Sequence, residues 1–446
     1  MKPLLQLVLL PMLLAWCAPV QATTTISRTS GGCAAATTSC TLGTHQAGDV
    51  FFAFASRDGS NTAPTLPSGW TNIDNNGANT ASYRMGCKIA LSSSETSGTW
   101  TNATQLIVVG YRGVLLSGDC ATGTVGGQAT EATGNSATLT YNSITFTDSG
   151  GTSWGFICGF SESATDVEGG PGGSMVNITS IGTEAACFDT NGTATTYAGG
   201  TDGVNASNGW HTKGFEIRAC TTTICLASYT SALADASSTT IAAAAVTHTA
   251  GNLLVAFCNG SGSNTVSSVT DTASNTYTQA TSAYVTAAAG FADTWYASNI
   301  SGNSSNAVTC TFNTGTTFRR IIVLEYSGAD TSSPFEVAAT GSCSACTTVT
   351  SGSFSPAASG NVNAAFTGTS NVVTTWTPGA NYRMERLLSD AGTEDRPGAP
   401  SGSQTVGQTI NTSLNMVMTL GSFKPPSGGG GGATPPPTLM MQGVGD

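Results

Sequence analysis

Thr44-His-Gln-Ala-Gly-Asp-Val-Phe-Phe-Ala-Phe54 returns later in the chain as Thr247-His-Thr-Ala-Gly-Asn-Leu-Leu-Val-Ala-Phe257. Thr, His, Ala, Gly, Ala and Phe coincide without a gap. Each copy ends in an apolar run entered through Gly-Asp or Gly-Asn, the pattern of a buried strand that follows a turn. Two more pairs follow in the same order. Leu106-Ile-Val-Val-Gly-Tyr-Arg-Gly113 answers Ile322-Val-Leu-Glu-Tyr-Ser-Gly328, and Asn205-Ala-Ser-Asn-Gly-Trp210 answers Asn411-Thr-Ser-Leu-Asn-Met416. The offset drifts between the pairs, so loops between kept strands have changed length. Ordered self-similarity of this kind is the mark of a duplicated unit.

The reading is all-β, with two tandem antiparallel β-sandwich domains of jelly-roll, concanavalin-like type at 23–219 and 220–425. Strand patterns recur at Val50–Ala55, Gln105–Tyr111, Thr152–Phe160, Leu253–Cys258, Val308–Phe312 and Ile321–Tyr326, separated by Gly, Asn, Ser and Asp clusters. Alternation places Val308, Cys310 and Phe312 on one face, and does the same for Trp154, Phe156, Cys158 and Phe160. The Ala-rich stretch Ile241–Val246 sits between Thr-rich segments, which favour strand or loop over helix. Domains of this length bury a core without help from a metal.

The chain begins MKPLLQLVLLPMLLAWCAPVQA. Lys2, the apolar run Leu4–Trp16 and the small-x-small step ending at Ala22 have the layout of a secretory signal over 1–22. The run is shorter than the roughly 20 residues a spanning helix needs. Cys17 suggests a lipoprotein, but Trp16 stands where a lipobox needs a small residue. Beyond Ala22 the cysteines fall in neighbouring pairs: Cys33 and Cys40, Cys87 and Cys120, Cys158 and Cys187, Cys220 and Cys225, Cys258 and Cys310, Cys343 and Cys346. In an exported chain this reads as disulfides, with neighbour pairing one of many connectivities. Zinc at Cys343-Ser-Ala-Cys346 lacks a second ligand pair.

Only 9% of residues are charged, the net charge is −11, and the 14 Lys and Arg are scattered. Nucleic acid, which needs a dense cationic stripe, is therefore not expected as a partner. Sequons such as Asn102-Ala-Thr and Asn205-Ala-Ser follow from the composition. After Phe423 come Pro, five glycines (Gly428–Gly432) and more Pro, then Leu439-Met-Met-Gln-Gly-Val444. That is a linker over 426–446 carrying a short apolar tail, with Leu439, Met440, Met441 and Val444 as its docking residues.

Gly251–Val255, Ser268–Thr278, Tyr296–Ile300, Val308–Phe312 and Glu325–Val337 together resemble a β-sandwich module of exported bacterial proteins. Pro67–Thr71 and Tyr111–Val114 make the first half similar to a cousin of that module in phage-associated and bacterial proteins. The likeness covers most of 45–423 and implies a fold and a surface location. It carries no catalytic residue.

Each constellation of chemical interest has a plainer reading. Asp148-Ser-Gly-Gly151 resembles a serine nucleophile loop, yet the partners such a site needs are missing and a turn is preferred. His45 and His248 recur in Thr-His-x-Ala-Gly and are read as hydrogen-bonding backbone at a strand entry. Glu325 and Glu336 are the carboxylates a glycosidase would need to bring together. Glu162, Asp166 and Glu168, and the run Glu394-Asp395-Arg396, are acidic clusters read as solvated loops. Calcium suits such loops, but no calcium motif is present and no cofactor is expected. Trp70 and Trp376 lie near turns and are the candidates for a sugar-stacking face; Trp154, Trp210 and Trp295 read as core.

The expectation is a secreted or cell-surface protein that is not an enzyme. It would bind a surface glycan or a protein partner in the manner of an adhesin. The rival is a filament or virion-associated subunit that self-assembles through the tail, and a glycoside hydrolase ranks third.

Overall fold

The computed structural model describes residues 26–426, except 117–119, 122, 148–151, 163–166, 182–183, 263 and 286–289. The signal segment, Asp148–Gly151, Asp166 and the tail residues Leu439–Val444 lie outside the described residues. The regular structure among the described residues is strand throughout, apart from one 3₁₀ turn at Val167–Gly169, and every described ladder between named strands is antiparallel.

Four large sheets account for most of the strand residues. The first runs Ser27–Arg28, Gln105–Arg112, Val50–Arg57, Ala81–Ile89, Thr71–Ala78, with Cys33–Ala35 also paired to Gln105–Arg112. The second runs Val176–Ile181, Ala185–Asp189, Trp154–Ser161, Gly200–Ile217, Val125–Gln128, and Ala132–Tyr141 also pairs with Gly200–Ile217. The third runs Cys225–Ala234, Arg319–Ser327, Leu253–Ser261, Gly290–Ala297, Thr278–Val285. The fourth runs Phe335–Thr350, Gly407–Phe423, Asn361–Thr369, Ala391–Ala399, Arg383–Leu387, with Trp376–Thr377 against Gly407–Phe423. A separate sheet joins Ser238–Ala242, Val308–Thr316 and Val266–Asp271.

The strand order of the first sheet recurs in the third. Gln105–Arg112, Val50–Arg57, Ala81–Ile89 and Thr71–Ala78 correspond in turn to Arg319–Ser327, Leu253–Ser261, Gly290–Ala297 and Thr278–Val285. The second and fourth sheets match likewise around Trp154–Ser161 and Asn361–Thr369. All three sequence matches fall on strands that correspond in this way.

Aromatic side chains join the sheets. Phe52 of the first sheet meets Phe156 and Phe215 of the second at centroid distances of 5.8 and 5.0 Å. Phe257 of the third stacks on Phe366 of the fourth at 5.7 Å. The opposite side of Val50–Arg57 is also covered, because Phe51 and Ala53 pack under Trp70 and Trp100. Burial on both faces explains why this strand reads as a continuous apolar run and not as an alternation. Gly48 and Gly251 of the repeated Thr-His-x-Ala-Gly turn both have positive φ (87° and 86°). A side chain at Gly48 would also strike the carbonyl of Ala227, so this glycine is fixed by backbone and by contact.

The cysteines bond as neighbours: Cys33–Cys40, Cys87–Cys120, Cys158–Cys187, Cys220–Cys225, Cys258–Cys310 and Cys343–Cys346. Cys343 and Cys346 therefore hold each other, which leaves no thiolate for zinc.

Glu394-Asp395-Arg396 corrects the reading of that run as a solvated loop. It lies inside the strand Ala391–Ala399, and both carboxylates are buried. The sequence misleads because charge is normally excluded from a core unless it is paired, and the partners come from distant strands. Glu394 accepts a 2.6 Å hydrogen bond from the Gly379 amide, yet burial still raises its pKa from the ordinary 4.5 to about 8. Below pH ~4.5 the folded and unfolded chains both carry this proton. As pH rises toward 8 the unfolded chain releases it first, so stability falls over that interval. Glu394→Gln keeps an acceptor for Gly379 and removes the proton loss. Thermal unfolding at pH 5 and pH 8 should show a smaller difference in the variant than in the parent; an unchanged difference would assign the pH dependence elsewhere.

Candidate functional site: an end cleft built on a recurring frame

One buried arrangement occurs in both halves. The Tyr111 hydroxyl donates to Asp189 Oδ2 at 2.7 Å, and Arg28 donates to both oxygens of Asp189 at 2.7 Å. At the corresponding positions the Tyr326 hydroxyl donates to Asp395 Oδ2 at 2.9 Å, and Arg383 Nε donates to Asp395 Oδ1 at 2.8 Å. Each tyrosine belongs to one sheet and each aspartate to the sheet packed on it, so the bond crosses the core. Burial, more than the neighbouring carboxylate, holds both phenols well above their ordinary pKa and keeps them donors. The arginines come from unrelated places, Arg28 beside Tyr111 and Arg383 beside Asp395. Tyr and Asp are thus the shared part. The second half adds Glu385, with Oε1 2.7 Å from Arg383; burial and then the nearby Asp395 hold its pKa well above the ordinary carboxylate range.

At the far end of the same strands, roughly 20 Å away at strand rise, the halves diverge. Gln105 precedes Tyr111 by the step that separates Arg320 from Tyr326, and Glu184 stands to Asp189 as Asp390 stands to Asp395. In the first half Gln105 donates to Glu184. In the second, Arg320 Nε and Nη2 grip the two oxygens of Asp390, and Nη2 also lies 2.9 Å from Asp235.

A cleft of about 430 Å³ opens at this end of the second half. Asn259, Ser261, Asn371 and Asn415 supply amides and a hydroxyl, and Phe318 and Val372 supply apolar surface. Phe318 is 53% exposed and Val372 60%. Phe318 also has φ 49°, a region that costs a bulky residue on the order of 1–2 kcal/mol. Strained backbone that presents an exposed aromatic into a cleft is a pattern found at ligand sites. It sits at the tight turn between Val308–Thr316 and Arg319–Ser327. The available sequence signal was an aromatic in a turn that contains no glycine at that position.

The sequence candidates lie elsewhere. Trp70 is 6% exposed and packs edge-on against Trp100 at 5.2 Å, so it belongs to the core and offers no stacking face. Trp376 is half-buried against the cluster that includes Val406, Ile410 and Tyr382. His45 follows the expected pattern: Nδ1 lies 2.7 Å from the Gly43 carbonyl, and Nε2 accepts from the Glu95 amide. His248 differs, since its Nδ1 accepts from the Asn306 side chain at 3.0 Å and burial lowers its pKa. Glu325 is buried and bonded to Ser228, Asn252 and the Thr249 amide. Glu336 accepts from the amides of Ala357 and Ala358 and from Asn361. The two glutamates share no partner and meet in no cleft among the described residues.

Among the described residues no group of three or more His, Cys, Asp or Glu is placed to hold a metal ion, and no helix is long and apolar enough to cross a membrane. Searches of protein-family models, of curated proteins and of solved structures returned no match.

Proposed function

We propose that this chain is an exported, non-enzymatic binding protein made of two copies of one lectin-like β-sandwich unit, with a glycan site in the end cleft of the second copy. The carrying observation is Phe318, held out into an amide- and hydroxyl-lined cleft on strained backbone. A sugar ring offers C–H faces for an aromatic and a rim of hydroxyls for hydrogen bonds, and Phe318 with its surrounding asparagines matches both. The recurring strand order and the repeated Tyr–Asp bond support two copies of one unit. Six disulfides fit an oxidising compartment. Against hydrolysis stand the separate bonding of Glu325 and Glu336 and the burial of Asp395 and Glu385 away from any described cleft.

Phe318→Ala should weaken glycan binding by about tenfold, the equivalent of ~1.4 kcal/mol. Phe318→Gly should bind as poorly while unfolding at the same or a higher temperature, because glycine accepts this φ without strain. The measurement is a glycan array followed by titration of the strongest hit. An array without a single binder would end the proposal.

A further inference from the structure

We infer, resting on that glycan reading, that the cleft selects a neutral sugar over an acidic one and that each chain carries a single such site. The cleft lining contains three charged side chains, Asp235, Arg320 and Asp390. The cation is already engaged: Asp390 takes Nε and Nη2, Asp235 also faces Nη2, and Nη1 donates to the Arg319 carbonyl at 3.0 Å. Two carboxylates against one guanidinium leave the lining net negative. Asp235 is also the exposed member, its side chain 62% accessible against 3% for Arg320. A sialic or uronic acid carboxylate would meet Asp235 with no free cation to receive it, and like charges brought together in a partly desolvated cleft repel. A neutral hexose or N-acetylhexosamine meets amides, hydroxyls and the Phe318 ring without that cost.

The single site follows from how the copies diverge. Ala103 precedes Gln105 as Phe318 precedes Arg320, and it is a small side chain 7% exposed, so the stacking surface is missing from the first copy. Ser56 stands where Asn259 stands and donates to Gln105 at 3.1 Å, while the Asn259 amide donates to the Phe291 carbonyl at 2.6 Å, so the difference between the ends rests on Phe318 and the Arg320–Asp390 pair. Glu184 accepts from Gln105 in place of the Arg320–Asp390 pair. Thr80 donates to Glu162 at 2.5 Å nearby; burial and then Glu162 raise the pKa of Asp58, while burial and then the Asp58 charge raise that of Glu184. Among the described residues that end carries crowded carboxylates and no exposed aromatic. The frame was kept in both copies while the cleft chemistry was kept in one.

The test uses the full-length protein on an array of matched oligosaccharides that differ only in a neutral, sialylated or uronic terminus, followed by calorimetric titration. Neutral termini should bind at least tenfold more tightly than acidic ones, with one ligand per chain. Phe318→Ala should weaken that one binding event by about tenfold, with no second, unaffected component in the titration. Asp235→Asn, a change on an exposed side chain, should narrow the neutral-to-acidic preference several-fold. A preference for acidic termini, two ligands per chain, or an affinity unchanged by Phe318→Ala would overturn this inference while leaving glycan recognition standing. Absence of binding to every glycan would overturn both.

Discussion

Asp395→Ala is expected to lower the unfolding free energy by about 3 kcal/mol, as read by chemical denaturation at pH 7. Asp395 is fully buried, bonded to Tyr326 across the core and to Arg383 within its own sheet. Removing it strands a phenol and a guanidinium in the interior, and breaking a buried pair on one side costs roughly 3–5 kcal/mol. The lower end of that range is expected because Glu385 stands 2.7 Å from Arg383. With Asp395 gone, one cause of its raised pKa is gone too, and it can ionise and take over the charge. This makes the pair of substitutions informative. Glu385→Gln alone should cost little, since burial and Asp395 already disfavour its charged form. Combined with Asp395→Ala it should cost clearly more than the sum of the two single changes, because the substitute anion is missing. A loss below about 1 kcal/mol for Asp395→Ala would mean that the Tyr–Asp bond does not pin the two sheets together.

The same pin shows which parts of the molecule can be seen in the sequence. Tyr111 and Tyr326 fall inside repeated segments, and the repeat places both correctly on corresponding strands. Asp189 and Asp395 do not, because each sits in a strand whose neighbours have diverged in all but position. Asp395 was further disguised by Glu394 and Arg396: three charged residues in succession read as solvent-facing when their partners are unknown. Val308, Cys310 and Phe312 behaved as alternation requires and share one core cluster. Trp70 was misplaced for a different reason. A turn-rich context such as Pro-Ser-Gly-Trp-Thr predicts local backbone, but whether the indole is covered depends on Trp100, which belongs to another segment. Phe318 was missed because exposure and positive φ are properties of a placed backbone, and composition contains neither. Periodicity therefore revealed the frame, while the cleft depended on contacts between loops remote in sequence.

Removing the Cys258–Cys310 disulfide by a double change to alanine should cost about 4 kcal/mol, the largest single loss among the six bridges. The bond closes a loop with a sequence separation of 52, longer than any other in the chain, and loop-closure entropy in the unfolded state grows with that length. Both cysteines are fully buried and lie in one core cluster with Phe291 and Phe312. The bridge ties Leu253–Ser261 of the third sheet to Val308–Thr316 of the neighbouring three-stranded sheet, which no ladder between those strands does. Val308–Thr316 also leads through the Phe318 turn into Arg319–Ser327, so loosening it should slacken the cleft as well as the fold. The comparison that isolates loop length is Cys343–Cys346, whose separation is 3; the same entropy argument gives it under 2 kcal/mol. Matched double-alanine variants compared by denaturant midpoint should therefore rank far apart, with the 258–310 variant the weaker ligand binder of the two. Equal losses would show that the long bridge restrains an unfolded chain already held together by other contacts, and the cleft would then owe its shape to packing alone.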